Sequence, residues 1–323
     1  MKVLVTENLF GDLDIERSIL EPLGAHLVLA PAVDEDTLVK EAHDAGAVMV
    51  VYAKVSAPVV EAAAQCGCRI IARYGIGYDN VDVEAATRHG IQVTYVPDYC
   101  LDEVADHTMA LMLGFARGVV EAAQAVRAGG WTLPAGAGIH RLAGRRLALL
   151  GVGRIGRRVA ARARAFGLEV CAYDPFLADW DVADVERAAT EEEALADADY
   201  VSLHAPLTPE NRHLIGERTL AMMRRSPLVV NTARGGLVDL DAAARALEDG
   251  RLGGLALDVT EVEPLPADHL LRHHPRAIVT PHMAFYSLEA QQELRQRVAD
   301  EVARAIKGEP PRCPVNILEV RSR

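Results

Sequence analysis

A chain of 323 residues with 34 Lys and Arg against 46 Asp and Glu carries a formal net charge of −12. Its length supports two domains with real cores, and its half-hydrophobic, one-quarter-charged composition is that of an ordinary globular chain. The acidic balance argues against a duplex-binding surface, which needs clustered Lys and Arg, and leaves any anionic substrate to be held by a few local arginines.

The N-terminus "MKVLVTENLF" enters a short strand at once and shows no signal-peptide pattern. Short apolar runs then alternate with helical patterns: "KVLVT" with "DIERSILEPLG", "HLVLA" with "DEDTLVKEAHDAG", "AVMVVY" with "APVVEAAAQCG". "RIIARYG", "VDVEAATRHG" and "QVTYVP" complete a first series of five strands by Pro97. Continuous Val, Ile and Leu runs mark strands buried on both faces, hence a parallel sheet. Alternation with helices implies right-handed crossovers and a doubly wound α/β sheet.

One long amphipathic helix is expected from about Asp102 to Ala128, and "GGWTLPAGAGIHRLAG" then breaks all periodicity. A second series of about six strands runs from "RRLALL" to "AIVTPH". A final helix, about Leu288 to Lys307, stops at Gly308 and two prolines. The order reads as one domain inserted into another. No run of 18 apolar residues occurs, so no membrane span is expected. The five cysteines (Cys66, Cys68, Cys100, Cys171, Cys313) are odd in number and include no C-x-x-C pair. That pattern suits a reducing, cytoplasmic setting and offers no metal set.

Within "LALLGVGRIGRRVAARARAFG", Gly151, Gly153 and Gly156 form G-x-G-x-x-G between a strand and a helix. Gly151 allows a tight turn, Gly153 lets a pyrophosphate approach the backbone, and Gly156 lets helix and strand pack closely. Arg154 and Ile155 open that helix, whose N-terminal amides and dipole favour phosphate. Asp174 ends the next strand, where an acid hydrogen-bonds the adenosine ribose. A carboxylate there repels a 2′-phosphate, and "PFLADWD" supplies no nearby Arg or Lys, which favours NAD over NADP.

Later strands end in polar residues: His204 and Pro206, Arg234, Asp258 with Glu263 beyond it, and His282. Ligands of open α/β sheets bind outside the carboxyl ends of the strands. Arg234, Glu263 and His282 are therefore candidates to converge, although alone such an Arg is more often a solvated turn residue, such a Glu a surface residue and such a His a structural one.

"LALLGVGRIG", "HAPLTPENRHLI", "NTARGGLVD", "ALDVTEVEP" and "TPH", in this order, resemble the D-2-hydroxyacid dehydrogenases over almost the whole chain. "RYGIGYDNVD", "VPDYCLDEVADHTMALML", "TPHMAFYS" and "GEPPRCPVN" resemble the C-terminal-binding-protein-like branch. The resemblance implies an α/β fold of two doubly wound parallel-sheet domains. A Rossmann NAD domain (101–286) is inserted into a flavodoxin-like substrate domain (1–100 and 287–323). It implies NAD-dependent interconversion of a 2-keto acid and a D-2-hydroxy acid, with His282 as acid–base residue, Glu263 orienting it and Arg234 gripping the substrate carboxylate. The glycines after Arg234 are expected to leave space for cofactor and substrate. Arg73 and the amides near Ile76 and Gly77 would also bind the acid. Thr108, His204, Pro206, Thr232, Ala233 and Asp258 match cofactor contacts, and His107 is read as structural. Relatives usually have "PHAAWYS", so Met283 and Phe285 alter the substrate wall and leave the keto acid open. A homodimer through the NAD domain is expected. The competing reading is an NADH-responsive, corepressor-like binding protein with little turnover.

Overall fold

The computed structural model describes residues 1–132 and 139–318; part of the aperiodic stretch after Gly129 lies outside them. The chain divides into two units, Met1–Tyr99 with Ser287–Arg323, and Cys100–Tyr286.

In the first unit β1 (Lys2–Val5), β2 (His26–Leu29), β3 (Ala45–Val50), β4 (Ile70–Arg73) and β5 (Gln92–Thr94) alternate with helices. These are α1 (Asp14–Leu20), α2 (Glu35–Ala42), α3 (Ala57–Gln65) and α4 (Val83–Arg88). The strand order is β2-β1-β3-β4-β5 and every pair is parallel. This is the flavodoxin-like order. β3 and β4 are buried as their apolar runs require. β2 departs from that expectation: "HLVL" pairs only with β1, so it is an edge strand and Leu29 is exposed. Apolar composition alone does not separate an edge strand from a central one.

The second unit contains α5 (Leu101–Ala116), α6 (Val119–Arg127), β6 (Arg146–Leu150), α7 (Arg154–Ala165), β7 (Glu169–Tyr173) and β8 (Glu186–Arg187). It continues with α8 (Glu191–Leu195), β9 (Tyr200–Leu203), α9 (Glu217–Leu220), β10 (Leu228–Asn231), α10 (Leu240–Glu248), β11 (Gly254–Leu257) and β12 (Ala277–Val279). Its parallel sheet runs β12-β11-β10-β9-β6-β7-β8. The order reverses beside β6, between β7 and β9, which is where such sheets open a crevice for a dinucleotide.

The single helix expected from Asp102 to Ala128 is instead two. α5 and α6 meet at 64°, because Gly118 adopts the left-handed conformation at φ 60° and ends the first ladder. α5 buries Leu101, Val104, Ala105, Thr108, Met109, Leu111 and Met112, whereas α6 buries none of its residues. Among the described residues no single helix is long and apolar enough to cross a membrane.

The chain closes with α11 (Leu288–Lys307), capped by the Ser287 side chain and ended by Gly308 at φ 72°, as the sequence indicates. Its buried Arg295 donates to both carboxylate oxygens of Glu16 on α1, at 2.9 and 2.8 Å. That pair fastens the last helix to the first unit.

Candidate active site

The phosphate loop is shaped by side chains that are missing. β6 ends at Leu150, and Gly151 turns at φ 93°. A Cβ at Gly151 would lie 2.7 Å from the His204 carbonyl carbon and oxygen, and one at Gly156 would lie 2.6 Å from the Gly151 carbonyl oxygen. Both glycines are therefore dictated by backbone packing. Gly153 differs: a Cβ there would meet nothing within 4 Å. Its openness suits the close approach of a pyrophosphate, and α7 starts at the next residue, Arg154, followed by Ile155. Asp174 is anchored beside the loop, its two oxygens accepting from the Val152 and Phe176 amides, each at 3.0 Å. These residues fit a dinucleotide.

His204 ends β9 next to this turn. Its imidazole pairs with Ser202 Oγ at 2.9 Å, and burial pushes its pKa down to about 4. The ring is thus neutral beside the phosphate loop. Pro206, exposed, follows, with its carbonyl accepting from Asn211 Nδ2. Thr108 is fully buried, and its hydroxyl meets that of Thr232 at 2.8 Å. The Asn231 side chain builds the next turn: Oδ1 accepts from the Ala233 amide and Nδ2 donates to the Arg234 carbonyl.

Arg234 is half-buried at the end of β10, and its Nη1 donates to the Ala233 carbonyl at 2.8 Å. The two glycines after it do not serve the purpose expected of them. A Cβ at Gly235 would run into the Thr260–Glu261 peptide, and one at Gly236 would lie 2.9 Å from Leu207 Cδ2. They are small because neighbouring protein segments occupy that space.

Glu263 and His282, 19 residues apart, are brought together: His282 Nδ1 lies 2.7 Å from Glu263 Oε2. An ionised carboxylate only accepts, so Nδ1 is the donor of this pair. Glu263 is held in turn by the Thr260 amide on Oε1, at 3.0 Å. His282 sits at φ 52°, outside the usual range for a residue with a Cβ. Asp258, buried at the end of β11, accepts from the Thr280 hydroxyl and from the amides of Met283 and Ala284. The acid placed in the cofactor site by resemblance thus also organises the loop that carries His282. Thr280, in "TPH", has no role assigned from sequence; its position directly after an apolar strand is the available signal. The Phe285 ring stands edge-on to His282, centroids 6.4 Å apart, and Met283 is exposed.

Arg73, Ile76 and Gly77 belong to the first unit. Arg73 ends β4 and is buried, its guanidinium donating to the Tyr74 carbonyl. Gly75, at φ 142°, leaves room for that side chain, since a Cβ there would collide with Nη1. Ile76 and Gly77 follow as half-buried loop residues.

Residues 109–284 match the family model described as D-isomer specific 2-hydroxyacid dehydrogenase, NAD binding domain. The chain is 38% identical to a D-3-phosphoglycerate dehydrogenase of Methanocaldococcus jannaschii over 99% of its own length, and spans 60% of that protein. It is 37% identical to a glyoxylate reductase of Thermofilum pendens, with 83% of this chain and 80% of that one covered. The solved D-lactate dehydrogenase from Aquifex aeolicus, complexed with NAD and lactic acid, superposes with a TM-score of 0.85 at 28% identity, covering 95% of this chain and 96% of the other. By the family model and by its identity to the glyoxylate reductase, this chain belongs to the D-isomer-specific 2-hydroxyacid dehydrogenase family.

Proposed function

We propose that the chain is an NAD-dependent enzyme interconverting a 2-keto acid and a D-2-hydroxy acid. The observation that carries this reading is the 2.7 Å contact between His282 Nδ1 and Glu263 Oε2 on the same sheet as an NAD-type phosphate loop. NAD, when bound, supplies or accepts the hydride. His282 Nε2 gives its proton to the carbonyl oxygen during reduction and takes it back during oxidation. Glu263 accepts from Nδ1 and so orients the imidazole. Arg234 grips the substrate carboxylate with its planar fork. Arg73 and the amides of Ile76 and Gly77 contribute a second carboxylate contact. Phe285 and Met283 shape the wall that meets the substrate side chain. Gly151, Gly153, Arg154, Ile155 and Gly156 hold the phosphates, and Asp174 holds the ribose and disfavours NADP. The first unit then serves as the substrate domain and the second as the cofactor domain. The exposed Val119, Val120 and Val126 of α6 and the 86%-exposed Trp131 support a homodimer through the second unit. The setting is a reducing cytoplasm.

A screen of NADH oxidation over glyoxylate, pyruvate, hydroxypyruvate and longer 2-keto acids tests the reaction, and turnover of none of them would remove it. Paired pH profiles test the acid. Reduction needs the charged imidazole and should fall as pH rises; oxidation needs the neutral one and should switch on across the same window. Glu263→Gln removes the carboxylate that accepts from Nδ1 and should lower kcat in both directions while NADH binding stays near wild type. An unchanged kcat in Glu263→Gln would mean the pair is not the acid–base unit.

A further inference from the structure

Two adjacent residues of α5 reach two different strand ends of the second unit. Thr108 meets Thr232, two residues before Arg234, at 2.8 Å. His107 Nε2 lies 3.0 Å from Thr280 Oγ1 and 3.4 Å from Asp258 Oδ1, at the root of the loop that carries His282.

The hydrogen bonds assign the protons. The Thr280 hydroxyl lies 2.6 Å from Asp258 Oδ1. A carboxylate only accepts, so the single hydroxyl proton points to Asp258. Burial alone would push the Asp258 carboxyl up; hydrogen bonds from His107, Thr280 and the amides of Met283 and Ala284 outweigh it and hold the group below the usual carboxylate range. Toward His107 the Thr280 oxygen can then only accept. His107 therefore carries a proton on Nε2 and donates it.

The loop held this way is not relaxed. His282 adopts φ 52°, a region disfavoured by a Cβ. Its amide donates to the carbonyls of Asp258 and Thr280 at 2.8 and 3.0 Å. Asp258 takes the next two amides, those of Met283 and Ala284, at 3.0 and 2.8 Å. A conformation of this kind persists only where its surroundings over-determine it. His107 is the part of those surroundings that comes from a different element, the helix.

We propose that His107 is a positioning residue for the acid–base step: its Nε2–H, through Thr280 and Asp258, holds the loop that sets His282 against Glu263. The inference rests on the reading of His282 as the acid–base residue. His107 itself touches neither substrate nor cofactor in this account.

The test compares His107→Phe, which keeps a ring and removes the donor, with His107→Gln, whose Nε2–H can take the same place. In the unliganded protein, the His282 Nδ1 proton bonded to Glu263 is followed by imidazole NMR. It should be seen in the wild type, broaden in the Phe variant and return in the Gln variant. With NADH and the best keto acid, the Phe variant should lose about ten- to a hundredfold in kcat, the scale of a small misplacement of a reacting group. Its KM for NADH should stay near that of the wild type, and the Gln variant should recover most of the loss. If the Phe variant does not fold, His107→Asn replaces it, its shorter amide failing to span to Thr280. A donor-free variant that keeps both the wild-type Nδ1 proton signal and kcat overturns the proposal. So does a fall in kcat shared equally by the Gln variant with the Nδ1 signal intact, which would mean a packing role only. A wild type that reduces no 2-keto acid would instead overturn the functional reading, and the NMR comparison, needing no substrate, would still decide the role of His107.

Discussion

The phosphate loop and the acid loop leave the same sheet but are built by opposite means. At Gly151 and Gly156 the shape follows from absent side chains, with His204 and the loop's own backbone filling the space where a Cβ would stand. From Asp258 to Phe285 it follows from side chains that are present, a carboxylate collecting three donors and a Glu–His contact at 2.7 Å. The first region is steric: one methyl group breaks it. The second is polar: its conformation and its chemistry depend on charge and on the donors behind it.

The sharpest way to separate the two is His282→Ala. It should cost roughly 10²- to 10⁴-fold in kcat, the usual share of general acid–base catalysis, while NADH affinity measured by fluorescence titration stays near wild type. A parallel collapse of NADH binding would show that the two loops are not independent. The next effect is on stability and involves His204, the residue packed against the steric loop. Its imidazole resists protonation down to about pH 4, whereas an unfolded His accepts a proton near 6.5. Between those values the unfolded state binds more protons, so stability falls as pH drops through that window and is unaffected above it. The loss should reach on the order of 3 kcal/mol once both states are protonated, at about 1.4 kcal/mol for each pH unit that separates the two values. His204→Gln should lose correspondingly less between about pH 7 and pH 4.5 in urea denaturation; equal losses would place the imidazole in contact with water.

A smaller change tests the steric claim itself. Gly156→Ala puts a Cβ 2.6 Å from the Gly151 carbonyl oxygen, and such crowding should cost about 1–3 kcal/mol, read as a lower melting temperature together with weaker NADH binding. A fully stable variant would mean that α7 shifts freely. The smallest effect concerns Asp174, whose carboxylate would oppose a 2′-phosphate. The wild type should favour NAD(H) by at least about tenfold in kcat/KM, roughly 1.4 kcal/mol, and Asp174→Ser should narrow that gap.

Elements governed by local chemistry are legible in the sequence. The span Leu288–Lys307, with Ser287 before it and Gly308 after it, is readable because capping and stopping act within one turn. The break at Gly118 is not, since an apolar pattern continues through it and a glycine inside a helix differs from one ending it only by its backbone conformation. β2 is legible as a strand but not as an edge, because strand order is a long-range property. The roles of Gly235 and Gly236 are hidden for the same reason: their neighbours, Thr260 and Leu207, are distant in sequence.

By itself the sequence determined the doubly wound α/β class, the G-x-G-x-x-G turn with Asp174 beyond it, and the polar residues that end successive strands, because periodicity and backbone sterics are local. Tertiary structure alone decided which of those polar residues touch. It joined Glu263 to His282, turned Asp258 inward as the anchor of the acid loop, and brought His107 from α5 behind Thr280. The physical reason is that a hydrogen bond acts over about 3 Å, and bringing groups from three separate segments within that distance takes the whole sheet and the helix packed beside it.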